Sequence, residues 1–484
     1  MSESPLAALS PAALWSAFAD ICAIPHPSRH EAAVIAHLRD RAAAKGLSAD
    51  IDAKGNLIVR KPATPGRENR PGVILQAPVD KVPQANAATK HDFRADPIRP
   101  RVEGDWVYAT GTTLGADNGI GAAAMLALME DETLPHGPLE FLFTVEEEIG
   151  LNGARAVAPG VLKGSILLNL DSEDESRITI GCAGGRDLAI HVPMARQAAP
   201  AGAEAVTVSI RGLKGGHSGL DIHKGHGNAI RLLARMLRAA ADTAPSLRLA
   251  AISGGSARNA IPREAEATIL LAPAEAAAAK AAIAAVEAEA AAEIAAADPG
   301  LVAAIAEAKP GPAFSAAETL AFLRALNACP DGIARLSDSL PGTPETSSNV
   351  GVIAAADDGA RIVCMVRSSV DAARDALCGR IADAFALAGG SCAPGAPYPG
   401  WRPDPNAPIL ALLSRVYAAQ NGNPPEISTV HAGLECAILG AAYPAWQMAS
   451  IGPNIRAPHS PDERVGIESV ANFWNLITGT LAEV

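Results

Sequence analysis

The stretch Val73-Ile-Leu-Gln-Ala-Pro-Val-Asp80 decides how the fold of this chain is interpreted. Its first five residues form a short apolar run with a single glutamine, which predicts a buried central strand. Pro78 and Asp80 follow at the carboxyl end of that strand, where open α/β sheets bind their ligands. Proline is tolerated at a strand end, but its side chain offers no ligand atom. The stretch therefore predicts a central strand that ends at a functional edge.

The segments around this strand have an α/β pattern. Residues 118–130 predict a helix, and residues 139–145 and 166–170 predict two further apolar strands. Strands that alternate with helices predict an α/β domain with a mixed, mostly parallel sheet. Upstream, the Lys54-Gly-Asn56 segment between two strand-like runs predicts a hairpin. The Ser28-Arg-His-Glu31 segment has capping-box spacing, which predicts the start of a helix.

A second pattern interrupts the first from residue 188 to residue 393. Its strands are sparse and alternate apolar with polar residues, as in 205–211 and 265–271. The alanine-rich residues 274–297 predict a long helix on one face of an antiparallel sheet. After residue 394 the α/β pattern returns. We therefore expect one domain made of residues 1–187 and 394–484, with an α+β domain inserted as residues 188–393.

Composition narrows the class of protein. The 484 residues carry a net charge of −12, which argues against nucleic acid or an anionic membrane as a partner. No apolar run is long enough to span a bilayer, and the first residues lack the pattern of a signal peptide. Seven scattered cysteines without a C-x-x-C pair favour reduced thiols. These features together predict a cytoplasmic protein.

Most of the acidic candidates follow predicted strands, whereas Asp117 lies in a turn with two glycines. One histidine lies in a proline-rich loop after a later strand. The set is Asp80, Asp117, Glu147, Glu148, Asp171 and His459. Carboxylates with an imidazole suit Zn, Mn or Co. Two such ions about 3.5–4 Å apart can act together on one substrate oxygen and one water. Taken singly, each residue is better explained as a solvated, capping or structural group, and spacing alone leaves both interpretations open.

The adjacent glutamates Glu147 and Glu148 favour the functional interpretation. In an extended segment, successive side chains point to opposite sides. One glutamate can therefore bind a metal while the other faces the attacking water as a general base.

Longer motifs resemble those of a known family. They are Cys22-Ala-Ile-Pro-His-Pro-Ser28, Gly111-Thr-Thr-Leu-Gly-Ala-Asp-Asn-Gly119, Glu147-Glu148, Gly181-Cys-Ala-Gly-Gly185, Gly212-Leu-Lys-Gly-Gly-His-Ser-Gly219, Arg258-Asn-Ala-Ile-Pro-Arg263, His431-Ala-Gly-Leu-Glu435 and Pro458-His-Ser-Pro-Asp-Glu463. In this order they resemble the bacterial aminoacyl-histidine dipeptidases, also called Xaa-His or cytosol non-specific dipeptidases. These enzymes belong to the two-metal aminoacylase and carboxypeptidase clan. The likeness runs from about Ser10 to Val484.

The resemblance implies a zinc-exopeptidase-like catalytic domain with an inserted lid and dimerisation domain. It implies a homodimer that hydrolyses dipeptides, including those of Xaa-His type, with two zinc ions. Manganese or cobalt are alternative metals.

The same resemblance assigns roles within the catalytic domain. Asp117 would bridge the two ions, Asp171 would bind the first, and Glu148 with His459 would bind the second. Glu147 would be the general base. Asp80 would orient a histidine ligand of the first ion.

Residues of the inserted domain also receive roles by resemblance. His217 would stabilise the developing oxyanion, and in related dimers such a histidine serves the partner's site. Arg367 would bind the terminal carboxylate of the substrate, and Asn259 its backbone. His431 and Glu435 are further candidates for substrate binding. Structural alternatives remain open, with His217 capping a glycine-rich turn, Arg367 paired with Asp371, and His431 and Glu435 acting as scaffold.

The sequence departs from the family pattern at Pro78, where the family has the histidine ligand of the first ion. The first ion would keep only Asp171 and the bridging Asp117, whereas the ligands of the second ion are intact. Lys81, where the family has an apolar residue, could replace part of the lost metal charge, but pairing with Asp80 or exposure to solvent is the favoured interpretation. Three hypotheses follow: a dipeptidase with impaired activity, a catalytically silent peptide-binding or structural relative, or an N-acyl amino acid amidohydrolase.

Overall fold

The computed structural model describes residues 4–484. The helices are α1 (Ala12–Cys22), α2 (Ala32–Ala44), α3 (Ala116–Glu130), α4 (Asn152–Ala156), α5 (Ala229–Thr243), α6 (Pro273–Ile294), α7 (Ala316–Ala328), α8 (Asp371–Ala386), α9 (Pro408–Asn421), α10 (Glu435–Ala442) and α11 (Ile467–Glu483), with a 3-10 turn at Ile222–Lys224. The strands are β1 (Ser48–Ile51), β2 (Leu57–Lys61), β3 (Val73–Pro78), β4 (Pro100–Glu103), β5 (Trp106–Ala109), β6 (Leu139–Thr144), β7 (Ile166–Asn169), β8 (Arg177–Cys182), β9 (Gly184–Pro193), β10 (Glu204–Arg211), β11 (Gly216–His217), β12 (Arg248–Gly254), β13 (Ala260–Ile261), β14 (Ala265–Leu271), β15 (Val302–Ala308), β16 (Gly332–Leu336), β17 (Pro344–Ala356), β18 (Gly359–Ser368), β19 (Ser391–Pro394), β20 (Glu426–Val430), β21 (Gln447–Ser450), β22 (Ile455–Arg456) and β23 (Arg464–Gly466).

One compact unit comprises the residues up to Gly181 together with Pro403–Thr429 and Leu434–Val484. Its large sheet has the strand order β1-β2-β6-β3-β7-β21-β8-β20. The central strands β6, β3, β7 and β21 are parallel, while β1, β2 and β8 pair antiparallel. The α/β class is confirmed, with the parallel part at the centre of the sheet.

The central strand β3 is buried along its whole length. Its apolar residues allow this, because helix α3 packs on β3 and helix α1 packs on α3. At that helix contact a Cβ on Gly119 would lie 3.0 Å from the Phe18 ring, so glycine permits the close approach. This packing fixes the carboxyl end of β3, where Pro78 and Asp80 stand.

The second unit comprises Cys182–Arg402 and Val430–Gly433. Its antiparallel sheet has the order β15-β10-β14-β12-β17-β18-β9-β19, with β16 paired to β17. Helix α5 packs on this sheet, and the alanine-rich α6 packs on α5 and β15. Ile283 of α6 is 1% exposed in the same core, so the predicted helix over an antiparallel sheet is confirmed. The predicted insertion, residues 188–393, lies inside this unit.

Two local predictions near the amino terminus have different outcomes. The hairpin is confirmed, since β1 pairs with β2 and Asp52 Oδ1 accepts hydrogen bonds from the three amides of the turn. The capping box is wrong. Ser28 Oγ donates to Asp80, and Glu31 accepts from the amides of Arg29 and Glu146. Partners distant in sequence have displaced the local cap.

The cysteines form no disulfide among residues 4–484, and six of the seven are buried. Within the same part of the chain, no helix is long and apolar enough to cross a bilayer.

A buried aspartate in the second unit gives a pH-dependent prediction for stability. Burial raises the pKa of Asp331 to about 6, although the Val350 amide and the Asn228 side chain donate to it. Because the folded-state pKa exceeds the unfolded value, the stability contribution of Asp331 is lost as pH rises from about 4 through about 6. Asp331→Asn keeps the accepting oxygen and removes this loss.

We therefore expect Asp331→Asn to melt at a higher temperature than the wild type at pH 7. Its free energy of unfolding should be larger by on the order of 1–2 kcal/mol. The difference should shrink toward pH 4.5 in thermal melts. The exposed Asp383→Asn is the control and should show no such trend. A constant difference across this pH range would contradict the assignment.

Candidate active site

Three predicted ligands meet in one cluster. Asp117, Glu148 and His459 each offer a ligand atom, and these atoms lie within 4.8 Å of one another. His459 Nε2 is 3.2 Å from Asp117 Oδ2 and 3.1 Å from Glu148 Oε1. Hydrogen bonds to Asp117 and Glu148 raise the pKa of His459 to about 11. An imidazole and two carboxylates suit a divalent ion such as Zn²⁺, whose binding would release the histidine proton.

The turn before α3 holds Asp117 in this cluster. Gly115 has a φ of 72°, a left-handed conformation that glycine adopts without strain. The carboxylate of Glu463 accepts from the amides of Leu114, Gly115 and Asp117 at 2.8, 2.9 and 3.1 Å. Glu463 lies in one of the sequence motifs but is not among the predicted site residues, because its partners are about 350 positions away in the chain.

The loop that carries His459 has a strained backbone. Both Ala457 and His459 have left-handed φ angles, 52° and 58°. Residues other than glycine adopt this conformation rarely, and surrounding contacts must impose it. Such strain is typical of functional loops.

Asp80 fixes the turn that carries the two glutamates. It is 2% exposed and accepts from Ser28 Oγ at 2.8 Å and from the amides of Glu147 and Glu148 at 2.9 and 3.2 Å. The histidine that Asp80 would orient in the family is absent from position 78. Here the carboxylate of Asp80 orients backbone amides instead.

Glu147 lies among carboxylates. Burial raises its pKa well above the usual range, and the charges of Glu435 and Glu148 raise it further. A carboxylate with a raised pKa is a stronger base, as general base catalysis requires.

Asp171 and Pro78 occupy equivalent positions just beyond the paired residues of two neighbouring strands. In the parallel pairing of β3 with β7, Gln76 is in register with Asn169, so residues 78 and 171 follow at equal offsets. Asp171 Oδ1 is buried without a hydrogen-bond partner. Burial and the charge of Asp117 raise the pKa of Asp171.

Glu435 also belongs to this unit and is 1% exposed. Its Oε2 accepts from Gln76 Nε2 at 2.5 Å and from Thr144 Oγ1 at 2.8 Å, and the Ala154 amide also stabilises the carboxylate. Burial raises the pKa of Glu435 to about 8.

The expectation for Lys81 is wrong. Its side chain is 2% exposed, and the carboxylate of Asp80 is used by Ser28 and two backbone amides. The aliphatic stem of Lys81 passes beneath Gly115, where a Cβ would lie 2.8 Å from Lys81 Cδ. Burial lowers the pKa of Lys81 to about 8, against the opposing influence of Cys22 and Glu463.

In the second unit, backbone amides set the tautomer of His217. Its Nδ1 accepts from the amides of Gly219 and Leu220 at 3.2 and 3.0 Å, so the neutral ring carries its proton on Nε2. Burial and the charge of Arg367 lower its pKa, which favours the neutral ring. The Nε2–H group is a hydrogen-bond donor. The 3.4 Å distance from His217 Nε2 to Arg367 Nη2 is therefore a contact between two donors.

Arg367 is 5% exposed and lies beside His217. It donates to Tyr398 Oη at 3.1 Å and to Ser218 Oγ at 3.4 Å. The alternative pairing with Asp371 is wrong, because Asp371 pairs with Arg374 at 2.9 Å. No carboxylate of residues 4–484 forms an ion pair with Arg367. A buried guanidinium without an acidic partner is suited to a ligand carboxylate.

The two other candidates of this unit differ in exposure. His431 is 8% exposed and its Nε2 contacts Ser347 Oγ at 2.8 Å, while burial and the charge of Arg367 lower its pKa to about 3. Asn259 is exposed, and its carbonyl accepts from the Ser218 amide at 2.8 Å. The structure thus brings His217, Arg367 and Ser218 together, with Asn259 linked through its backbone.

Comparison with known proteins identifies the family. Cytosol non-specific dipeptidase of Escherichia coli (strain K12) is 45% identical to this chain over 482 residues, which cover 99% of each protein. This chain belongs to the cytosol non-specific dipeptidase family. The crystal structure of aminoacylhistidine dipeptidase from Vibrio alginolyticus matches with a TM-score of 0.95 at 43% identity, covering 100% of this chain and 98% of that one. Family membership assigns the chain to the metal-dependent peptidases.

Two further matches describe the architecture. Residues 208–298 match the peptidase dimerisation domain. Aminopeptidase PepT from Bacillus cereus shares the fold, with a TM-score of 0.56 at 16% identity over 98% of this chain and 99% of that one. The predicted zinc-exopeptidase-like fold with a dimerisation domain is therefore confirmed.

The two metal positions expected for the family are not equally well supplied with ligand atoms in this chain. The cluster of Asp117, Glu148 and His459 offers two carboxylates and an imidazole, which fit one divalent ion. Pro78 offers no donor atom, and Asp171 Oδ1 is a buried acceptor without a hydrogen-bond partner. The cluster thus offers both carboxylate and imidazole donors, whereas Pro78 offers none.

The hydrogen bonds of Glu463 give a prediction for the intact cluster. Glu463→Gln presents an NH₂ group to at least one backbone amide and so releases the turn that carries Asp117. We expect the zinc affinity to fall about 10–100-fold, as measured by competition with a chelator. Asp462→Asn, at the exposed neighbouring position, should leave the affinity unchanged. Equal affinity of Glu463→Gln and wild type would refute this positioning role.

Proposed function

We propose that this chain is a metallodipeptidase that cleaves the peptide bond of dipeptides, including those of Xaa-His type. The proposal rests above all on the cluster of Asp117, Glu148 and His459, with Glu147 adjacent to one of its members. The E. coli relative, named a non-specific dipeptidase, and the Vibrio relative, named an aminoacylhistidine dipeptidase, support this substrate class.

The proposed ligands of the better-formed metal position are Asp117, Glu148 and His459, with zinc as the metal and manganese or cobalt as alternatives. When bound, such an ion polarises the scissile carbonyl and lowers the pKa of water. Asp117 would also bridge to a first ion that Asp171 binds. Glu463 and Asp80 support these groups through the backbone amides that they hold.

Glu147 is the proposed general base. It takes a proton from the attacking water as the C–O bond forms, and it returns that proton to the leaving amine as the C–N bond breaks. Its raised pKa supports this role, because the carboxylate must be basic enough to accept the proton.

The second unit supplies the proposed substrate-binding groups. Arg367 binds the terminal carboxylate of the dipeptide, and Asn259 and His431 bind near it. His217 donates Nε2–H to the oxygen that becomes negative in the transition state. The support is chemical, since Arg367 has no acidic partner among the described residues and the amides at His217 Nδ1 keep a proton on Nε2.

The relatives support proposals for the oligomeric state and the cellular location of the protein. We propose a homodimer formed through the unit that contains the dimerisation domain, and a cytoplasmic location like that implied by the name of the E. coli relative. Pro78 is proposed to weaken the first ion position and thereby to lower the rate relative to a chain with histidine there.

Glu147→Gln tests the catalytic proposal. Because glutamine cannot accept the proton of water, kcat for β-Ala-His and for simple dipeptides should fall by about 10²–10⁴-fold. Zinc content should stay at the wild-type value. The matched control is Glu146→Gln, since Glu146 instead pairs with Lys54 at 2.6 Å and should be dispensable for turnover. Absence of dipeptide hydrolysis by the wild type would refute the proposed function.

A further inference from the structure

The backbone of His217 is held by a single neighbouring residue, Asp221. The Asp221 amide donates to His217 O at 3.0 Å, and Asp221 Oδ2 accepts from the His217 amide at 2.7 Å. The carboxylate occupies space that a side chain at position 216 would need, because a Cβ on Gly216 would lie 2.7 Å from Asp221 Oδ2. Asp221 therefore fixes both backbone hydrogen-bonding groups of the histidine.

The turn that Asp221 closes presents two backbone amides to the imidazole. The amides of Gly219 and Leu220 donate to His217 Nδ1, and both residues lie between His217 and Asp221 in the chain. In many histidine sites a carboxylate accepts from Nδ1–H directly. Here the carboxylate of Asp221 binds the backbone instead, and the amides of the turn leave the ring proton on Nε2.

The charge of Asp221 is paired on the side away from the histidine amide. Its Oδ1 lies 2.6 Å from Lys224 Nζ. Burial opposes ionisation, but the Lys224 ammonium and the His217 amide hold the pKa of Asp221 below its usual range. Burial and the charge of Arg367 lower the pKa of His217, and the charge of Asp221 opposes them. The charge alone would thus favour a protonated ring, so a neutral Nε2–H donor depends on the geometry of the turn.

The residue next to His217 is held by a separate contact. The Ser218 amide donates to Asn259 O at 2.8 Å, and Ser218 Oγ accepts from Arg367. Neither contact involves Asp221. Loss of the Asp221 side chain should therefore release the amides at His217 Nδ1 while Ser218 and Arg367 stay in place.

We propose that Asp221 is a positioning residue that orients His217 and keeps its proton on Nε2. The inference rests on the proposed function, in which that Nε2–H group stabilises the developing oxyanion. Asp221 acts through the backbone of the turn and not by contact with the reacting atoms. Because the oxyanion forms only in the transition state, Asp221 affects kcat and leaves KM nearly unchanged.

The kinetic test uses the dimer with β-Ala-His and Ala-Ala as substrates. Asp221→Ala removes the acceptor of the His217 amide, and we expect kcat to fall about 10–100-fold with KM within about 3-fold of the wild type. Asp221→Asn keeps an accepting oxygen without the charge, so its kcat should stay within about 3-fold of the wild type. Asp242→Ala, which loses an exposed ion pair with Arg238 in the same unit, is the control and should be fully active.

The tautomer of His217 gives a second readout that needs no turnover. In protein labelled with nitrogen-15 histidine, the ring nitrogen shifts distinguish Nε2–H from Nδ1–H, and His217→Gln identifies the signals of His217. We expect the Nε2–H form in the wild type and in Asp221→Asn, and a mixture of both forms in Asp221→Ala.

Two results would overturn the inference. One is a folded Asp221→Ala that keeps the wild-type tautomer or the wild-type kcat. The other is an Asp221→Asn that is as impaired as Asp221→Ala, since the charge and not the hydrogen bond would then be what matters. Absence of dipeptide hydrolysis by the wild type would refute the proposed function, while the tautomers would still decide whether Asp221 positions His217.

Discussion

The concentration of carboxylates at one edge of the central sheet is the constraint on which the site depends. Glu147, Glu148, Asp171 and Asp117 repel one another, and burial raises this cost. Two further carboxylates hold the turns in place against this repulsion. Asp80 accepts from the amides of Glu147 and Glu148, and Glu463 accepts from the amide of Asp117. The fold stabilises an arrangement that favours a cation.

Pro78 is compatible with the fold because it is the last residue of β3. The register of β3 with β7 ends at Gln76 and Asn169, and the ladder to β6 continues through the Val79 amide, which donates to Thr144 O at 2.9 Å. Proline is tolerated here because the pairing of β3 with β7 ends two residues earlier. Its effect falls on ligand chemistry, because the proline side chain offers no atom to a metal ion. The second position also depends on this strand end, because Asp80 accepts from the Glu148 amide at 3.2 Å.

The sequence predicted the elements that depend on local pattern. The central strand and the parallel strands beside it follow from the spacing of apolar residues. The alanine-rich helix over an antiparallel sheet follows from the helix propensity of alanine. The convergence of Asp117, Glu148 and His459 was predicted from strand ends and motif resemblance. Glu463 and the burial of Lys81 were missed, because both depend on contacts between distant turns. The capping box at Ser28 failed for the same reason, since Asp80 competes for the serine hydroxyl.

The most direct test of the central claim is the zinc stoichiometry of this chain and of Pro78→His after dialysis against a limiting zinc buffer. We expect about one tightly bound zinc per chain in the wild type and about two in Pro78→His, because the imidazole completes the first position. Two zinc ions of equal affinity in the wild type would contradict the claim that residue 78 governs the first metal.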